Sequence, residues 1–395
     1  MHYRGPCSAV SFLDPEEQPG ELLEVVVLVG HNLKIDSSAA KSKPTALFLC
    51  VLCGGGPEGV SGDLRGPGHP SSTLPGHPLR GLDPDILGKG RDHGLHQRYH
   101  GAERIVVRLE RFVSAQDFYE RAEQHLLGNE ACHSLVLGLA KQLAEHPELF
   151  LEEPYLATIE QGGEVIAASI MTPPFGPVLS LGFVPEGLML LAEDLQRSYP
   201  TLPGVLGPVD AARSFAEMWK DLSSQPYHLK RADRVHRLES VIPAEGVPGR
   251  LRRATEADRE LLTKWFVAFG VEALGEVTDP ETAGRSIDAY LATEGMGLYL
   301  WDNEGPVSVA GRSRPTPNGA TVNYVYTPLE HRKKGYASAC VAALSQLLLD
   351  EGYRYCYLFT DLANATSNRI YNAIGYEPVC DMDEYGFGQH PDDNP

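Results

Sequence analysis

The sequence predicts a mixed α/β fold with a largely antiparallel sheet, and three observations carry that reading. From Leu251 to Phe387 the apolar spacing runs strand, two helices, three strands, helix, strand, helix and final strands. Strand-to-strand turns are written at Asn303-Glu304-Gly305 and Pro317-Asn318-Gly319. A comparable order of elements precedes this unit, from about Glu103 to Val241.

Taken in order, residues 1–102 differ in kind from the rest. Between Gly54 and His100 the text is dense in Gly and Pro and poor in periodic apolar positions, so burial cannot offset the entropy of ordering it. A disordered or loosely attached extension is expected there, with a strand or two from "ELLEVVVLVG" and "TALFLCVL". No methionine follows Met1 until Met171. A native start near "ERIVVRLERF", at a valine codon, is therefore expected, and N-terminal sequencing of protein from the native host tests it. Residues 103–245 then read as a globular unit. "SAQDFYERAEQHLLGNEACHSLVLGLAKQLAEHP" is helical and interrupted near Gly128, and "YLATIEQGGEVIAASIMTPP" is a hairpin about Gln161-Gly162-Gly163. "PVLSLGF" is a strand, "GLMLLAEDLQRSY" and "AARSFAEMWKDL" are helices, and "YHLKRADRVHRLESV" is extended. "IPAEGVPGR" is a linker by its prolines and glycines. The second unit, 250–390, opens with a short strand, then Thr255 as N-cap with Asp258 at N3. Asp279-Pro280 starts its second helix, and Gly375 closes the last one.

The chain carries 53 acidic residues against 34 basic ones, a formal net charge of −19. Such a balance argues against general nucleic-acid binding, which needs basic surface, and mildly favours a cationic partner. No segment reaches the roughly 18 uninterrupted apolar residues of a membrane helix, and no secretory leader is written at the N-terminus. A soluble, cytoplasmic protein is expected. Seven scattered cysteines do not read as a disulfide framework. Cys50 and Cys53 form one C-x-x-C without partners at zinc spacing, so no metal is expected.

The chemistry concentrates in "TVNYVYTPLEHRKKGYASACVAALSQLLLDEG", where a strand feeds through a short turn into a helix. A helix start leaves backbone N–H groups without partners and carries partial positive charge, which suits a phosphate. Arg332, Lys333 and Lys334 add full charges, Gly335 permits close approach, and Ala337 keeps the next position small. Some thirty residues on stands "LFTDLANATSNRIYNAIGY".

The two segments together resemble the GNAT acetyltransferase superfamily. Arg332, Gly335 and Ala337 match its Q/R-x-x-G-x-G/A loop. Asn364, Ser367, Tyr371, Gly375 and Tyr376 match its N-x-x-S-x-x-x-Y-x-x-x-G-F/Y pattern. The resemblance is closest from about Leu251 to Phe387 and implies a GNAT fold that uses acetyl-CoA. By that resemblance the backbone of Arg332, Lys333, Lys334, Gly335, Tyr336, Ala337 and Ser338 holds the CoA pyrophosphate. The strand at Val325, Tyr326 and Thr327 splays from its neighbour and pairs with the pantetheine arm, and an N–H there polarises the thioester. Asn364 and Ser367 support the cofactor side, and Tyr371 protonates the departing thiolate.

Plainer roles stand beside these: Tyr371 as a core aromatic, Asn364 as a helix N-cap, the lysines as solvated charges. The strand before the loop offers no carboxylate. By strand alternation Asn323 shares a face with Val325, and Asp361 ends the facing strand or caps its turn. The base is left unassigned, with a water-mediated proton transfer expected. In the first unit "LPGVLGPVDAARSFAEMW" occupies the expected place of a phosphate loop, with Gly204 and Gly207 but no cation ahead of the helix. A degenerate GNAT-like copy without cofactor is expected. The function expected is N-acetylation of a primary amine, possessed by a small molecule or peptide, through direct attack in a ternary complex. The alternative is an acyl-CoA-binding sensor without turnover.

Overall fold

The computed structural model describes residues 106–389 except Leu151 and Glu276. The N-terminal extension and the Cys50/Cys53 pair lie outside the described residues. Within them the chain forms twelve strands and eight α-helices. The first half contains β1 (Val107–Phe112), α1 (Ala115–Leu127), α2 (Ser134–Glu145), β2 (Tyr155–Gln161), β3 (Glu164–Met171), β4 (Val178–Leu179), α3 (Pro185–Ser198), β5 (Gly204–Pro208), α4 (Val209–Ser223) and β6 (Tyr227–Leu238). The second half contains β7 (Arg250–Arg253), α5 (Arg259–Phe269), α6 (Pro280–Ala292), β8 (Gly297–Asp302), β9 (Pro306–Ser313), β10 (Gly319–Tyr326), α7 (Tyr336–Asp350), β11 (Tyr355–Asp361), α8 (Ala365–Ile374) and β12 (Glu377–Phe387).

All twelve strands join one sheet in the order β1-β2-β3-β4-β5-β12-β6-β11-β10-β9-β8-β7. Adding six to each number of the first half and reversing the direction reproduces the same order. The last strand of each half has crossed over, so β12 lies between β5 and β6, and β6 lies between β12 and β11. Only the β4–β5 and β10–β11 pairs are parallel.

Period-two alternation explains why helices cover both faces. On β8, Leu298 and Leu300 meet Leu262, Phe266 and Ile287 of α5 and α6, while Tyr299 and Trp301 meet Ala339, Val341 and Leu344 of α7. On β11, Leu358 faces the α7 and α8 side and Phe359 faces α1 and α2. Local signals set the helix ends: Thr255 and Asp258 form a capping box, Asp279 accepts from the N–H groups of Glu281 and Thr282, and Gly375 closes α8 at φ +109°.

Two expectations are corrected here. "PVLSLGF" forms only the two-residue β4, because His125 and His133 engage the Leu181 backbone just after it. The cysteines are not all thiols: Cys132 and Cys380 form a disulfide across 248 residues, while Cys340 and Cys356 are buried and free. Chain spacing could not show that pair, since the crossed-over β12 is what brings Cys380 to the first half.

Candidate active site

β10 and β11 pair only from Gly319 to Thr321 against Tyr355 to Tyr357, and the ladder stops there. A Cβ on Gly319 would meet the Tyr357 ring at 2.4 Å, so the close approach at this end requires glycine. Toward the other end β10 carries a bulge. Between Asn323 and Tyr326 it has one residue more than β9 opposite, and Tyr324 sits at φ +44°. Burial holds Tyr324 in that uncommon conformation: its ring packs on Phe266 and Phe269 at 5.0 and 5.4 Å, and its hydroxyl donates to the Leu262 carbonyl at 3.0 Å. The result is an opening between the C-terminal ends of two parallel strands.

The bulge corrects the expected placement of Asn323. Its side chain is 1% exposed and its amide donates to Ser313 Oγ at 2.7 Å, away from the opening. Val325 and Thr327 are half-buried, whereas Tyr326 is buried. The Tyr326 carbonyl accepts from Ser308 Oγ at 3.1 Å, and the Ser308 and Thr327 hydroxyls lie 2.8 Å apart. Ser308, on β9, carried no signal in the sequence.

Past Tyr326 a short helical turn at Leu329–His331 leads to Lys333 at φ +62° and Gly335 at φ +80°. The first helical bond of α7 runs from the Ala339 N–H to the Gly335 carbonyl at 3.0 Å. The N–H groups of Tyr336, Ala337 and Ser338 therefore precede any intrahelical acceptor. A Cβ on Gly335 would lie 2.9 Å from Val247, so the linker packs on this loop. Lys333 and Lys334 are exposed.

Arg332 is differently placed from its neighbours. Its Nε donates to the Thr327 carbonyl at 2.8 Å, and its terminal nitrogen pairs with Glu272. Glu272 lies in a π-helical turn, Gly270–Leu274, that continues α5, and it also accepts from the Tyr326 hydroxyl at 3.0 Å. Burial, with the Glu272 hydrogen bond second, pushes the Tyr326 phenol up to about 12. Sequence reading missed Glu272 because a widened helical turn has no signature in residue spacing.

The remaining motif residues have structural roles that are visible directly. Tyr336 is 7% exposed and its hydroxyl accepts from the Asn303 amide at 2.9 Å. Tyr371 is 2% exposed in the core beneath α7, edge-on to Tyr376 with ring centroids 6.0 Å apart. Asn364 caps α8: its Oδ1 accepts from the Ser367 N–H at 3.1 Å and its amide donates to Ser367 Oγ at 2.7 Å. Asp361 caps the turn after β11 by accepting from the Ala363 N–H at 2.7 Å.

In the first half, the place equivalent to the β10–α7 turn is the β4–α3 turn, and not the segment at Gly204 and Gly207. Those glycines lie in β5, where Cβ atoms would meet the Tyr385 carbonyl oxygen at 2.3 Å and Leu179 at 2.7 Å. The β4–α3 turn has no Lys or Arg, and Glu186 stands in the first turn of α3. Its backbone is already engaged: the Leu181 N–H donates to His133 Nε2 at 3.0 Å, and the Leu181 carbonyl lies 3.1 Å from His125 Nε2. His133 bonds the Leu126 carbonyl through Nδ1 at 2.8 Å, and burial lowers its pKa to about 4, so the ring is neutral. A diphosphate would meet no cation and no free donor from Leu181.

Comparison with known proteins agrees with this architecture. Residues 305–385, the segment that spans β9 to β12, match the family model of FR47-like proteins. No curated protein matches the chain. Among solved structures, a Drosophila protein from a structural genomics consortium is similar in fold at TM-score 0.51 and 14% identity, over 71% of this chain and 98% of that one. A GCN5-related N-acetyltransferase from Sphaerobacter thermophilus gives TM-score 0.48 at 15% identity, over 72% and 96%. A tandem GNAT protein from the clavulanic acid biosynthesis pathway gives 0.43 at 14%, over 72% and 98%. The FR47-like match covers residues 305–385, and the solved structures, at 14–15% identity, show a likeness of fold.

Proposed function

We propose that the protein is an N-acetyltransferase that moves an acetyl group from acetyl-CoA to a primary amine by direct attack in a ternary complex. The observation that carries this reading is the opening between β10 and β11, which ends at a cation-bearing loop and the start of α7. The residues suit the cosubstrate. Lys333, Lys334 and the N–H groups from Tyr336 to Ser338 offer donors to a diphosphate, and the exposed Gly335 leaves room for it. Arg332 joins them on leaving Glu272. The bulge frees backbone groups near Val325 to pair with a pantetheine amide and to polarise a thioester oxygen. Tyr371 donates a proton to the departing sulfur.

The division of labour is a catalytic half, 250–390, and a GNAT-like half, 103–245, that has lost the cofactor. The occupied Leu181 backbone and the cation-free β4–α3 turn support this. The net charge of −19 favours a cationic acceptor. A non-catalytic acyl-CoA sensor is the second reading, favoured by the depth at which Tyr371 lies in the core.

The test is mass spectrometry on protein incubated with acetyl-CoA and a pooled amine library that includes peptides, with free CoA measured against a control without acceptor. Acetylated amines that fall at least tenfold in Tyr371→Phe, with acetyl-CoA affinity unchanged, are the expected result. Binding of acetyl-CoA with no amine modified would move the sensor reading ahead.

A further inference from the structure

The opening between β10 and β11 lacks a carboxylate on β10, yet its other wall carries one that is backed by a second. β11 ends at Asp361. Carried forward in the register that pairs Gly319 with Tyr355, Val325 and Tyr326 of β10 stand level with Asp361 across the gap. On its other side β11 pairs with β6, and there Asp361 is directly opposite Asp233. Opposed residues of antiparallel strands project from the same face, with Cβ atoms about 5 Å apart. That face also carries Phe359 and Val235, and it is the side on which α1 and α2 pack.

Asp233 is unusual for a strand residue in the middle of a twelve-stranded sheet. It is 0% exposed. Its Oδ2 accepts from Arg231 Nε at 3.0 Å, but its Oδ1, equally buried, has no hydrogen-bond partner among the described residues. A buried carboxylate oxygen left unpartnered costs stability and calls for an explanation. The charged groups that bear on it come from three strands: Arg231 on β6, Asp361 on β11, and Glu384 on β12, which itself pairs with Arg231. Desolvation, opposed by Arg231 and reinforced by Glu384 and Asp361, raises the Asp233 carboxyl to about 7.

We infer that Asp361 and Asp233 act as one proton-accepting unit for the attacking amine, Asp361 at the opening and Asp233 behind it as the positioning residue. The inference rests on the acetyltransferase reading above. An ammonium acceptor gives one proton to the pair. Its nitrogen lone pair then bonds to the thioester carbon, and the C–S bond breaks as Tyr371 protonates the thiolate. The nitrogen's second proton restores the phenol, and the pair releases the first to solvent. Desolvation of Asp233, reinforced by the charges of Glu384 and Asp361, keeps the inner carboxyl basic enough to hold a proton near neutrality. The base thus belongs to both halves of the chain, because β6 comes from the half without a cofactor.

The experiment compares wild type, Asp233→Asn, Asp233→Glu and Asp361→Asn in the full chain, using the acceptor found in the amine screen. It reads kcat, kcat/KM from pH 5 to 9, and acetyl-CoA affinity. Wild type should show an acid limb near pH 7. Asp361→Asn should lose kcat by about a hundredfold; its amide oxygen still accepts from the Ala363 N–H, so the turn is kept. Asp233→Asn should lower kcat at least tenfold and move the acid limb down, while Asp233→Glu keeps the limb near neutrality. Acetyl-CoA affinity should hold within about twofold throughout. Asp233→Asn with wild-type kcat and an unmoved limb would overturn the pair alone, as would an undiminished Asp361→Asn. A wild type that acetylates no amine overturns the acetyltransferase reading, and this inference with it.

Discussion

Glu272→Gln should tighten acetyl-CoA binding. In the structure Arg332, the motif cation nearest β10, is turned toward Glu272 and the Thr327 carbonyl. To meet a diphosphate it must give up that ion pair. The two side chains are 38% and 33% exposed, so the pair belongs with surface bridges worth about 0.2–1 kcal/mol. Glu272 is also fixed by the Tyr326 hydroxyl at 3.0 Å, which reduces the entropy lost on pairing and puts the value near the top of that range. Glutamine still accepts from Tyr326 but no longer holds a guanidinium by charge. Releasing about 1 kcal/mol lowers the dissociation constant roughly fivefold. Calorimetry with acetyl-CoA measures it, and acetyl-pantetheine, which has no phosphate, is the control. The gain should be absent with acetyl-pantetheine and should shrink at high salt. An unchanged or weaker affinity for acetyl-CoA, or an equal gain with both ligands, would refute the competition.

His133 should make folding sensitive to mild acid. Its folded pKa, depressed by burial to about 4 from 6.5, means the unfolded chain binds a proton that the folded one refuses. That stability is fully present above pH 6.5 and is lost as pH falls toward 4, by about 3 kcal/mol at most. Denaturant titrations across this window should show the slope reduced in His133→Gln, and an unchanged slope would count against a neutral buried ring. The crossed-over strands predict that residues 250–390 do not fold alone. β11 would lose its six pairs with β6, and β12 would lose both neighbours. Sedimentation and near-UV circular dichroism of that segment should report aggregation or missing tertiary structure; a soluble, cooperatively melting monomer would contradict it.

What could be seen in the sequence was local. Thr255 with Asp258, Asp279 with Pro280 and Asn364 with Gly375 mark helix ends within a few residues, and each behaves as its chemistry dictates. The phosphate-loop motif lies in the predicted turn between strand and helix for the same reason. What escaped depends on contacts across the chain or on one backbone angle. Tyr324 at positive φ shifts every later side chain of β10, so alternation misplaced Asn323. Residue spacing does not single out the β4–α3 turn, because β4 is two residues long and β5 also runs straight into a helix. Asp233 was one aspartate in a charged extended run, and only the β6–β11 register sets it beside Asp361.

The strand exchange also gives a structural role to the first half, whose β4–α3 turn has no cation. The β10 wall of the opening is held by its own half, through Ser308 on β9 and the packing of Tyr324 on α5. The β11 wall is held mainly from the other half, since β6 supplies its ladder from Cys356 to Asp361. Glu130, in the turn between α1 and α2, grips Asn318 through its N–H at 2.9 Å and its amide at 2.7 Å, at the end where β10 and β11 are still paired. The linker residue Val247 packs on Gly335 at the other end. A sheet that diverges midway has given up hydrogen bonds on the diverging edges, and each strand then needs a full partner on its far side. β9 is that partner for β10, and β6 is that partner for β11. The absence of a cation from the β4–α3 turn leaves this requirement untouched, because β6 meets it with backbone hydrogen bonds and a short run of buried side chains.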